Sequence, residues 1–340
     1  TDLIKRWGRT AALPRPGEIE ARLQASLPED VLILLHAAGT VATKKNYLLY
    51  VVGGFVRDLL LGLPNLDIDL VVEGSAISMA RAMASRFGGH VHVHTRFGTA
   101  KWMLADSSFT SLASIDFISA RREFYAHPTA LPEVEQSSIQ QDLARRDFTL
   151  NTLAVCLDDR RFGQLLDFFG GYDDLRSGVI RVLHNLSFID DPTRILRAVR
   201  YEQRLDFRID ARTLELVAGA LDLLPRVSGE RIANELFLTF AVREPEKAVA
   251  RLSELGVLAA IHPALHDGQK AADWFSRLRL GGERSEPIDY LAALTRDLEP
   301  EVALAVGERL SLSKDQKALL EQVARLREME QSLATPELLP

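Results

Sequence analysis

Residues 50–72 read YVVGGFVRDLLLGLPNLDIDLVV, and this stretch decides the fold. An apolar run ends in the pair Gly53–Gly54. An amphipathic run carrying Arg57 and Asp58 follows, and a second apolar run opens with Asp67 and Asp69 one residue apart. The pattern predicts a strand, a glycine turn, a short helix and another strand. Bare backbone at a strand-to-helix turn lets N–H groups approach a phosphate, and a helix N-terminus adds partial positive charge. A tight turn would use the same glycines, so the pair alone does not decide. Neither the G-x-x-x-x-G-K-[ST] phosphate loop nor a G-x-G-x-x-G dinucleotide fingerprint is present.

The aspartates carry more information. Two residues apart on one strand, Asp67 and Asp69 leave the same face while Ile68 and Leu70 turn to the core. Carboxylates about 7 Å apart at Cβ can converge on a hard cation such as Mg²⁺, which takes a few carboxylates plus substrate phosphates. Asp116, in SIDFISARRE, is the candidate third acid of a two-metal clamp; a merely exposed strand aspartate would look the same.

Outward from this stretch the chain divides in character. Residues 1–20 read as a linker interrupted by Pro14 and Pro16, and residues 18–44 as helix broken near Pro28. Strand-like runs then alternate with short helices: LLYVV, DIDLVV, HVHVH, TAKWML and SIDFIS. Beyond about residue 185 the period is helical throughout, as in DPTRILRAVRYEQRL, SGERIANELFLTFAV and EPEKAVARLSELGVL. The expected class is therefore α+β: a mixed-sheet head over 21–185, then helical segments over 186–255 and 256–340.

At 340 residues the chain has room for two or three domains, and 47% hydrophobic with 26% charged residues is an ordinary globular composition. The single cysteine, Cys156, excludes an internal disulfide and a cysteine-built zinc site, and points to a reducing cytoplasm. No apolar run reaches the length of a membrane span, and the start TDLIKRWGRT is too charged for a signal peptide. That start, without Met, suggests a fragment or a processed end. A net charge of −6 weighs against a uniformly basic nucleic-acid binder, but the arginines are clustered.

RRDFTLN supplies Arg145, Arg146, Asp147 and Asn151. DDPTRILRAVRYEQR supplies Asp190, Asp191, Arg194, Arg197, Arg200 and Arg204. On a helix those last four share one face, opposite Ile195, Leu196, Ala198 and Val199. Like charges in one stripe repel unless an anion lies against them, so the stripe is expected to bind phosphates or base edges. Guanidinium forks matched to donor and acceptor edges could select a base without a template strand. Asp147 is expected to pair with Arg146. HVHVH reads as a polar strand face, because His90, His92 and His94 lie too far apart for one tetrahedral ion. Trp102, Phe109 and Trp274 are expected in the core more than against RNA.

These residues resemble the class II tRNA nucleotidyltransferases, the CCA-adding enzymes, and the related bacterial poly(A) polymerases. GGFVRD with DIDLVVEG resembles the first family motif, RRDFTLN the second, DFFGGYDDL the hinge-like third, DDPTRILRAVR the fourth and SGERIANEL the fifth, in the family's order over residues 45–240. Asp190–Asp191 replaces the family's Glu-Asp. The resemblance implies a polymerase-beta-like nucleotidyltransferase head, then an all-helical neck and a body with a reduced tail. It implies Mg²⁺ on Asp67 and Asp69, catalysis by these two and Asp116, and incoming nucleotide at Gly53, Gly54, Arg57 and Arg146. Asp191 and Arg194 would pair with the base edge of CTP or ATP, with Arg197 and Arg200 beside them.

The implied substrate is the tRNA 3′ end. RREFYAHPTALPEVEQSSIQQDLARRD lies where the family carries a flexible loop needed for the final A, shortened in CC-adding enzymes. Its full length implies CCA- or A-adding activity. ALPEVEQSSI and VLHNLSFIDDPTR resemble a longer subgroup with an upstream CBS domain, whose end TDLIKRW resembles; that subgroup includes A-adding enzymes. The rival readings are a poly(A) polymerase and, from another class, a non-catalytic RNA-binding module.

Overall fold

A computed structural model describes residues 12–124, 133–281 and 285–334. The chain forms two units, one reaching to Leu183 and one from His184 onward.

The first unit begins with two helices, α1 (Pro16–Ser26) and α2 (Glu29–Lys44). Residues 16–20 are thus helical, not linker. Pro16 opens α1 at a position where a missing N–H costs nothing, so the proline read as a breaker is an initiator. The strand-like runs then build a seven-stranded sheet from β1 (Leu48–Val52), β2 (Asp69–Glu73), β3 (Gly88–His94), β4 (Thr99–Ser107), β5 (Ser114–Ser119), β8 (Ala154–Cys156) and β9 (Leu165–Leu166). Its order is β3-β4-β5-β2-β1-β8-β9. Only the β2–β5 pairing is parallel; the rest are antiparallel, giving the mixed sheet expected of the head.

Helix α3 (Gly54–Leu61) follows β1, and α4 (Ala76–Phe87), capped by the Ser75 hydroxyl, packs on one face of β3–β5. Ala100, Trp102 and Leu104 are buried there. On the other face, α5 (Ile139–Ala144) sends Ile139 and Leu143 against Tyr50, Val52, Val71, Ala154 and Cys156. Each such buried apolar side chain contributes about 1.5–3 kcal/mol. Strands β6 (Arg121–Phe124) and β7 (Glu133–Gln136) form a separate antiparallel pair; residues 125–132 of the segment expected to serve terminal A addition lie outside the described residues, as does TDLIKRW. Helix α6 (Gly171–Ser177) completes this unit's larger elements. Its entry is fixed by Asp167, whose carboxylate accepts from the N–H groups of Phe169, Gly171 and Tyr172.

Among the described residues the second unit is helical apart from the two-residue strand Arg208–Ile209. After the single turn α7 (Ser187–Asp190) come α8 (Thr193–Leu205), α9 (Ala211–Ala218), α10 (Gly229–Phe240), α11 (Pro245–Glu254), α12 (Val257–Ile261), α13 (Gly268–Leu280), α14 (Pro287–Thr295), α15 (Pro300–Arg309) and α16 (Lys314–Ala334). Helix α8 packs against α10, with Ile195, Leu196, Ala198 and Val199 buried. No helix among the described residues is long and apolar enough to cross a membrane.

Candidate active site

Gly53 joins β1 to α3 with φ +71°, ψ −132°, a backbone state that a side-chain-bearing residue rarely adopts. The space beside it is taken: a Cβ there would stand 2.5 Å from Nη1 of Arg146. Arg146 therefore lies directly against the glycine turn. Its Nη2 reaches Asp142 at 3.4 Å, and the same carboxylate takes Arg145 at 2.8 Å. Asp142, fully buried, is the partner of Arg146. Asp147, expected in that role, instead accepts from the Phe148 N–H and from Asn151 Nδ2.

Arg57 departs most from expectation. At 2% exposure it lies under the turn rather than open to a ligand. Its Nε donates to Asp58 at 2.8 Å and its Nη1 to Asn151 Oδ1 at 2.8 Å. Asp58 also accepts from Asn65 Nδ2, and Asn65 Oδ1 accepts the backbone N–H of Asp67, both at 2.8 Å. One hydrogen-bonded chain thus runs from the Asp67 backbone through Asn65, Asp58, Arg57 and Asn151 to Asp147. Asn65 was not singled out from sequence. Its signal was there: an Asn two residues before Asp67, the spacing of an Asx turn.

Strand β2 starts at Asp69, so Asp67 belongs to the preceding loop and is exposed, not a strand residue as expected. Ile68 and Leu70 are buried as anticipated. Asp69 and Asp116 are direct partners on the parallel strands β2 and β5. Burial pushes the Asp69 carboxyl up to about 6; Arg146 pulls it down, Asp67 and Asp116 push it further up, and Lys101 offsets part of that. Asp116 is held by Lys101, whose Nζ is 2.7 Å from Oδ2.

Among the described residues no three His, Cys, Asp or Glu side chains stand close enough to hold a metal ion together, so the expected three-acid clamp is not assembled. The donor chemistry of Asp67 and Asp69 nonetheless fits a hard cation. Both offer carboxylate oxygens, and a bound cation would stabilise the ionised Asp69 carboxylate that burial disfavours.

In the helical unit the arginine stripe has an internal counter-charge. Arg197 and Arg200 each reach the buried Glu235 of α10 at 3.2 Å. One turn earlier on α10, Arg231 pairs with Asp191 at 2.8 Å, and Asp191 also accepts from the Thr193 N–H and hydroxyl. Arg194 is buried and donates to Ser187 Oγ at 2.7 Å. The anion that offsets the repulsion within the stripe lies in SGERIANEL itself. No sequence pattern on α8 could reveal it, because it comes from the helix packed alongside.

The other candidates fall outside these clusters. His90, His92 and His94 are exposed on edge strand β3, and Trp102 and Phe109 are buried. Trp274 lies beneath the guanidinium of Arg296, 3.9 Å from the ring centre, with Arg277 at 4.7 Å. These three line a cavity of about 590 Å³ in the helical unit that none of the motif residues touches.

The description "Poly A polymerase head domain" matches residues 49–181, and "Probable RNA and SrmB- binding site of polymerase A" matches 206–269. A solved structure of a CCA-adding enzyme in an apo form superposes with a TM-score of 0.82 at 37% identity, covering 93% of this chain and 75% of that one. The chain belongs to the tRNA nucleotidyltransferase and poly(A) polymerase family. Two curated members come from Geobacter sulfurreducens. Its A-adding tRNA nucleotidyltransferase is 43% identical over 312 residues, 88% of this chain and 35% of that protein. Its CC-adding tRNA nucleotidyltransferase is 34% identical over 299 residues, 85% of this chain and 62% of that protein. The chain thus spans about a third of the length of its A-adding relative.

Proposed function

We propose that this chain is a template-independent RNA nucleotidyltransferase that adds AMP to the 3′ end of tRNA in the cytoplasm, releasing pyrophosphate. The observation that carries the reading is the pairing of Asp69 with Asp116 on adjacent strands, beside an arginine seated against the bare Gly53–Gly54 turn. Specificity for A finds support in the higher identity to the A-adding relative than to the CC-adding one of the same organism, 43% against 34%.

The residues divide the work. Gly53, Gly54 and Arg146 hold the triphosphate of ATP, through main-chain N–H groups and one guanidinium. Asp69, with Asp67 and Asp116 near it, faces the acceptor 3′-hydroxyl. That oxygen bonds to the α-phosphorus as the α–β bridging bond breaks; the hydroxyl proton is lost to solvent, and pyrophosphate departs in line. Mg²⁺, held by Asp67 and Asp69, would supply Lewis acidity toward the hydroxyl and neutralise triphosphate charge. Arg57 acts through Asn151 and Asp58 to fix the turn and the Asp67 loop. In the helical unit Asp191 and Arg194 read the base edge, with Arg197 and Arg200 alongside. On this reading residues 21–185 form the head, 186–255 the neck and 256–340 the body.

The deciding experiment supplies tRNA transcripts ending before CCA, after C or after CC, each with ATP or CTP. A single A on the CC-ending transcript is the expected result. Addition of C as well would make the chain CCA-adding, an open-ended A ladder would make it a poly(A) polymerase, and RNA binding without pyrophosphate release would make it a binding module.

A further inference from the structure

The acids form the inner end of a longer row. The strand registers set Asp69 opposite Asp116, Asp116 opposite Lys101, and Lys101 opposite His92. Residues opposite one another on paired strands share a face, so these four side chains cross β2, β5, β4 and β3 on one side of the sheet. At about 4.8 Å per strand the row is about 14 Å long. His90 and His94, two residues to either side, share that side. The reverse of β3 and β4 is closed by α4, with Ala100, Trp102 and Leu104 buried. The histidine side is open: His90, His92 and His94 are exposed, and the Lys101 side chain is 44% exposed.

The row changes sign along its length, from two acids to a lysine and a titratable base. Lys101, paired with Asp116 at 2.7 Å, sits directly opposite His92, and an anion above the two would meet the ammonium's remaining N–H donors and the imidazole. In-line displacement fixes which flank an acceptor must use. The triphosphate seat at Gly53–Gly54 lies on the β1 flank of Asp69, so pyrophosphate leaves on that flank and the attacking hydroxyl arrives from the β5 flank.

We propose that the Lys101–His92 end of this row is the subsite for the acceptor RNA strand. The terminal nucleoside covers β5 with its 3′-hydroxyl toward Asp69, and the phosphate on its 5′ side rests against Lys101 and His92. The ligand class is a single-stranded RNA phosphodiester, held for position and not for sequence. The inference rests on the reading of Asp67 and Asp69 as the catalytic acids and of the glycine turn as the triphosphate seat.

His92 is exposed, so a charge series there leaves the core intact: His92→Arg, His92→Gln and His92→Glu in the whole chain. Steady-state kinetics on a tRNA transcript ending in CC, varying RNA and ATP separately, give the main readout. KM for RNA should fall with Arg and rise with Glu, each on the order of three- to ten-fold, with KM for ATP unmoved. In a second arm the same transcript is bound by the Asp69→Asn protein, with and without His92→Arg, across salt concentrations. The added phosphate contact should steepen the log–log slope by about 0.7. An RNA KM that is flat across the series, or that moves in parallel with the ATP KM, overturns the proposal, as does an unchanged salt slope. If the unmodified chain releases no pyrophosphate, the reading of the acids fails instead, and the salt arm, which needs no turnover, still decides the row.

Discussion

The guanidinium of Arg146 fills the place where a side chain on Gly53 would begin, 2.5 Å from the would-be Cβ. The second motif is thereby seated in the first, and the glycine is required twice: for its positive φ and for the room it leaves. Gly53→Ala should destabilise the chain by about 1–3 kcal/mol through backbone strain alone. It should also displace Arg146 and raise KM for ATP more than tenfold. Denaturant melts and ATP kinetics on the same protein check both, and a variant with wild-type KM would refute the seating.

Asp69 links stability to pH. Its folded carboxyl sits near 6 against 3.8 unperturbed, so between those values the folded state binds more protons than the unfolded chain. The carboxylate therefore costs stability progressively as pH rises from about 4 to 6, and the full cost persists above. Asp69→Asn should stabilise the metal-free protein by about 1–3 kcal/mol at pH 8, a gain that vanishes below pH 4, while abolishing nucleotide addition. Added Mg²⁺ should raise the melting temperature of the parent more than that of the variant.

Glu235 bridges two guanidiniums, one on each carboxylate oxygen. Glu235→Gln keeps the shape and removes the charge, leaving Arg197 and Arg200 mutually repelled. A loss of about 1–3 kcal/mol in melts is expected. KM for ATP should change while binding of the RNA, measured separately, stays within twofold.

Cys156 is buried on β8, and burial pushes its thiol up to about 11. Iodoacetamide at pH 8 should leave the native chain unlabelled, with alkylation following the denaturant unfolding curve. Rapid labelling of folded protein would contradict this packing.

The legible parts of the molecule were those fixed by local periodicity and backbone chemistry. Alternation announced β4 and β5, and the GG turn and the two aspartates stood out from their neighbours. What could not be read was set by packing. Arg57 is expected at the incoming nucleotide from its place in the family's first motif; packing buries it, with Asp58 and Asn151, 94 positions beyond Arg57, as its partners. Arg146 pairs with Asp142 and not with adjacent Asp147, since successive residues project in different directions. The stripe on α8 looked uncompensated because its counter-ion arrives on α10.

The hydrogen-bonded chain from Asn65 through Asp58 and Arg57 to Asn151 carries a consequence for anyone altering this protein. Because each member hydrogen-bonds the next, exchanging one alone removes a partner from its neighbour. These four positions act as one unit, so a graft between relatives that cuts between residues 65 and 151 should take both halves from the same parent.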